Sequence, residues 1–99
     1  NYQEFINQAI NSNKVVIFSK TYCPYCLKTK QLFKEMNVET KVFELDKMEN
    51  GRQIQDALED FTSQSTVPNV FVRGKHIGGN DSTHLAKRNG ELDKLLNQV

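Results

Sequence analysis

The chain has 99 residues, 37% hydrophobic and 25% charged, with a formal net charge of +1. That is enough chain to bury one core without disulfide staples, and too little charge bias to draw the whole molecule to nucleic acid or an anionic membrane. No apolar run approaches the roughly 18 residues of a membrane-spanning helix, and two cysteines are fewer than a short secreted disulfide scaffold carries.

Residues 2–13 place Phe5, Ile6, Ala9 and Ile10 at helical spacing, and Asn11-Ser12-Asn13 ends that helix. The same stretch lacks a signal peptide's order of charge then apolar run, so the expected compartment is the cytosol, with a removed segment ahead of Asn1 as the open alternative. "KVVIFSK" is a short β-branched run without alternation, which reads as a strand buried on both faces. After the cysteines, Leu27, Leu32, Phe33 and Met36 mark a helix to about Asn37, with Lys28, Lys30 and Lys34 on a solvated face. "TKVFELDK" reads as a second strand, and Ile54, Ala57, Leu58 and Phe61 form the stripe of a third helix. "NVFVRGKHIGG" reads as a hairpin turning at Arg73-Gly74-Lys75, "NDSTHLAKRNG" as a short helix, and "ELDKLLNQV" as a last amphipathic turn or two. Strands alternating with helices imply a parallel βαβ pair to which the hairpin adds antiparallel strands. The expected architecture is one α/β domain over residues 1–99, a four-stranded mixed sheet with helices on both faces.

The chemistry centres on Cys23 and Cys26. A bond between them would close a very small loop and add little stability. If the helix starts near Cys23, unsatisfied N–H groups and the helix dipole favour a thiolate there, and Pro24 suits the first turn because its missing N–H is not needed. Lys20, Lys28 and Lys30 add positive surroundings. Such a thiol falls from about 8.5 into the range of about 3.5–7.5. Cys23 is expected to be the exposed, ionised thiol, and Cys26, one turn inside, less exposed and higher in pKa. A fall of four units raises the thiolate fraction at neutral pH roughly 30-fold. The same fall lowers intrinsic nucleophilicity roughly 60-fold. The gain therefore lies in Cys23 as a leaving group, and acceleration of its attack must come from holding a substrate in place.

Two further stretches supply such a site. In "STVPN", a cis bond before Pro68 would turn the backbone of Val67 outward to pair with an extended peptide. In "GGNDS", N–H groups at a helix start suit a carboxylate, and Asp81 would accept from an ammonium. Lys20 and Gln55 are placed to hold a second carboxylate.

"CPYC" after a strand, then "TVP", then "GG" before an acidic helix start, in this order along essentially the whole chain, resembles the dithiol glutaredoxins. The resemblance implies a thioredoxin-like fold and a monomer with no tightly bound cofactor or metal. It implies glutathione as co-substrate, and reduction of protein–glutathione mixed disulfides and some protein disulfides. Carried over by position, Cys23 is the nucleophile and Cys26 the resolving thiol. Lys20, Tyr25, Gln55, Thr66, Val67, a cis Pro68, Gly79, Asp81 and Ser82 are the implied glutathione contacts. Ser65 stands where many relatives have a basic residue, and Asn80 where many have Cys.

Other readings are weaker. Two core thiols would not need Pro24 at a strand-to-helix junction, and zinc would need two more ligands at finger spacing, which His76 and His84 do not give. A thioredoxin-type reductase shares the chemistry, but this chain has no Trp. An iron–sulfur dimer held by Cys23 and two glutathiones is the other alternative, and the cluster binders it resembles often have Gly or Ser in place of Pro24.

Overall fold

In the computed structural model, which describes residues 1–97, the doubly apolar run is β1 (Val15–Ser19), buried at all five positions. Successive side chains point to opposite faces, so Val16 and Phe18 enter one core while Val15 and Ile17 enter another. β1 pairs in parallel with β2 (Lys41–Glu44) and antiparallel with β3 (Asn69–Val72), which pairs antiparallel with β4 (Lys75–Gly78). The sheet order is β2-β1-β3-β4. The parallel pair requires a crossover, supplied by α2 (Pro24–Glu35). Between β3 and β4, Arg73 (φ 54°) and Gly74 (φ 80°) make the two-residue turn with both φ positive that matches strand twist.

Helices cover both faces, as the sequence predicts. On one, α1 (Tyr2–Ser12) and α3 (Gly51–Thr62) bring Ile6, Ile10, Ile54 and Leu58 onto Val16, Phe18 and Phe71. On the other, Phe33 of α2, Ala86 of α4 (Asn80–Arg88) and Leu92 of α5 (Glu91–Leu96) pack on Val15, Ile17, Val70 and Val72.

The short helix and the closing turns after it are two separate helices as expected, split where Gly90 takes φ 85°, and Gln98 and Val99 of the closing stretch lie outside the described residues. Several details differ from the periodicity reading. Leu27 and Phe61 are exposed, because α2 buries the stripe Cys26, Thr29 and Phe33, and α3 the stripe Ile54, Ala57 and Leu58. Lys30 is not on the solvated face: its Nζ meets Glu44 Oε2 at 2.5 Å with both side chains under one-third exposed. A 3-10 turn (Leu45–Lys47) follows β2 and lies so close to α3 that a Cβ on Gly51 would sit 1.9 Å from the Leu45 carbonyl oxygen. Only glycine fits there.

Candidate functional site

β1 ends at Ser19 and the chain turns through Lys20–Tyr22 into α2. The turn is tied down from β2's side: Asp46 accepts from the Thr21 N–H at 2.9 Å and from Thr21 Oγ1 at 2.5 Å. These bonds hold the Asp46 carboxyl below its usual range, the Thr21 hydroxyl first and its N–H second. The Cys23 N–H then donates to the Lys20 carbonyl at 3.1 Å, closing the turn.

Cys23 is the N-cap of α2, with Pro24 opening the helix. Its Sγ accepts from the Cys26 backbone N–H at 3.2 Å. Sulfur here does what a Ser or Asp oxygen does at other helix starts. No acidic residue occupies the first turn to compete. Cys23 is half-buried rather than open, whereas Cys26 is wholly buried. Burial pushes the Cys26 thiol up to about 11 from 9.0, helped by its hydrogen bond with Cys23 and opposed by the Lys20 backbone and the Ser19 hydroxyl. The two thiols thus differ in access as the sequence predicts.

Beside Cys23 lies a cleft of about 330 Å³ lined by Tyr25, Thr66, Val67, Pro68, Gly79, Asn80, Asp81 and Ser82. The Val67–Pro68 bond is cis, and the Val67 carbonyl oxygen lies 3.8 Å from Cys23 Sγ. That contact joins thiol and cleft. Tyr25 is 57% exposed, with Lys28 Nζ 5.3 Å from its ring centroid. On the far wall, α4 starts at Asn80 behind its N-cap Gly79 with no side-chain cap, so Asp81 and Ser82 do not cap it and its first turn lines the cleft. Gly78 (φ 120°) brings the strand so near this helix that a Cβ would stand 3.1 Å from Ser82.

Seven of the nine expected contacts are therefore gathered around one cleft. Lys20 and Gln55 do not line it. Gln55 is turned to the loop instead, its Nε2 donating to the Ser65 carbonyl at 2.7 Å, while Lys20 belongs to the turn before Cys23. Asn80 is a wall residue that the sequence reading noted only as a departure. Its Oδ1 accepts from the buried Thr29 Oγ1 at 2.9 Å, which ties α4 to α2. Nothing local in the sequence pairs Thr29 with Asn80; the contact exists only because two helices share a face.

A family model described as Glutaredoxin matches residues 15–77. The chain is 50% identical over 91 residues to glutaredoxin-1 of Rhizophagus irregularis, covering 92% of this chain and 90% of that one. Among solved structures, a buckwheat glutaredoxin–glutathione complex superposes with a TM-score of 0.94 at 46% identity, covering 96% of this chain and 86% of the other. The holo form of glutaredoxin C1 from Populus tremula x tremuloides gives 0.92 at 43% identity, covering 96% and 94%.

Proposed function

The chain belongs to the glutaredoxin family of thiol–disulfide oxidoreductases, and from that membership we propose that it reduces protein–glutathione mixed disulfides, and some protein disulfides, at the expense of glutathione. The observation that carries this reading is Cys23 Sγ lying 3.8 Å from the Val67 carbonyl, on the edge of a cleft whose other end is a helix start. A sulfur beside the bent backbone of Val67, with a helix start beyond, matches a short peptide thiol carrying a carboxylate. The buckwheat relative's complex with glutathione supports the same ligand here.

In the proposed cycle the Cys23 thiolate attacks the glutathione sulfur of a mixed disulfide. The protein sulfur departs with the bonding electrons and takes up a proton, leaving Cys23 bonded to glutathione. A second glutathione thiolate attacks the bound glutathione sulfur, forming glutathione disulfide and returning Cys23 as an anion stabilised by the Cys26 N–H. On a protein disulfide, Cys23 attacks first and Cys26 then displaces the product, giving a Cys23–Cys26 bond that two glutathiones reduce. Cys26 must lose its proton in that branch alone. The test is turnover of a glutathionylated protein by wild type, Cys23→Ser and Cys26→Ser. Activity is expected to vanish in the first and largely to survive in the second; equal losses in both would contradict these roles.

A further inference from the structure

The wall of the cleft nearest Cys23 is a loop, and two glutamines outside the cleft hold it. Gln64 follows Ser63, the left-handed residue (φ 64°) that ends α3. Gln64 Nε2 donates to the Thr66 carbonyl at 3.0 Å and to the Pro68 carbonyl at 2.9 Å. Both partners are acceptors, so only the NH2 end of the amide can serve them. With Gln55 on the Ser65 carbonyl, the carbonyls of Ser65, Thr66 and Pro68 are all bound to glutamine amides, and the Val67 carbonyl is the one turned to Cys23.

Gln64 is itself mounted on the half-buried Thr62. Its N–H donates to Thr62 Oγ1 at 3.1 Å, and that hydroxyl donates to the Leu58 carbonyl at 2.7 Å. The wholly buried Asn69 reaches the same hydroxyl through Nδ2 at 3.4 Å and contacts His76 Nε2 through Oδ1 at 2.9 Å. The bracket therefore runs from the sheet, through the end of α3, to both sides of Val67.

We propose that Gln64 is a positioning residue for glutathione: by gripping the carbonyls on either side of Val67 it fixes the backbone edge against which the tripeptide docks. The proposal rests on the reading of this cleft as the glutathione site. Gln64 touches neither thiol and reaches Cys23 only through the Val67 carbonyl, so its loss is expected to act mainly on docking.

Two variants test it, Gln64→Met, which keeps the length and removes the donors, and Gln64→Glu, which sets a carboxylate against two carbonyl oxygens. In each, KM for a glutathionylated peptide is expected to rise about tenfold, the order that two neutral hydrogen bonds represent. At the same time kcat should stay within about twofold of wild type. The rate at which iodoacetamide, which needs no docking, alkylates Cys23 should not change. The Kd for reduced glutathione, followed by NMR in a Cys23→Ser background, should rise in parallel with KM. Unchanged KM and Kd in both variants would overturn the role of Gln64 while leaving the function intact. So would kcat and alkylation falling together with binding, which would mean a general collapse of the site. Wild type that binds glutathione in a Gln64-dependent manner yet turns nothing over would sink the function and keep the role; wild type that binds no glutathione would sink both.

Discussion

At Cys26 the shift toward about 11 means that the folded chain holds its thiol proton to higher pH than the unfolded one. The stability this contributes is whole below pH 9.0 and is lost as pH rises through the folded value. In a Cys23→Ser background the contributions of the Cys23 sulfur are gone but burial remains, so Cys26 should still titrate above 9.0, and its closed surroundings should slow iodoacetamide further. An alkylation curve centred at 9.0 or below would show a more open thiol. This asymmetry was legible early, since CPYC behind a buried strand fixes which sulfur caps the helix and which enters it. The Thr21–Asp46 tie, the Gln55–Ser65 bond and the Gln64 clip were not. Each joins side chains to partners supplied by another element or a loop carbonyl, and single polar residues in loops carry no periodicity from which to infer a partner.

At the level of elements, the approach of α3 to the turn after β2 depends on one missing side chain. Gly51→Ala would drive a methyl into the Leu45 carbonyl, and backbone on both sides leaves nothing flexible to yield. The expected loss is at least the 1–3 kcal/mol of ordinary overpacking, read as a lower urea midpoint; an unchanged midpoint would mean that α3 slides freely. Element order and type came through from helical stripes such as Ile54, Ala57 and Leu58, from the β-branched run of β1, and from the cap and turn residues between them. What spacing mis-set were the edges of each stripe. Leu27 adjoins a buried position and is nonetheless exposed, and Lys30, taken for surface, reaches across to Glu44. Amphipathic spacing gives the direction of a helix's buried side to within about a residue, and the neighbour's shape decides the rest.

For the molecule as a whole, the two cores are not independent, because β1 and β3 feed both: Val16 and Phe71 face one side, Val15 and Val70 the other. Removing bulk from either core should lower one shared transition. Ile54→Ala and Phe33→Ala are each expected to cost about 2–5 kcal/mol, with far-UV circular dichroism and tyrosine fluorescence moving together in urea. Two separated transitions would mean that one layer can melt while the other stands. The central strand that couples the layers also delivers the chain to Cys23, whose sulfur is at once the proposed nucleophile and the cap from which α2 grows. Bonding that sulfur to a partner would alter how it meets the amide behind it. The backbone signal of Cys26 is thus a built-in gauge of the redox state, readable with no dye, label or substrate present.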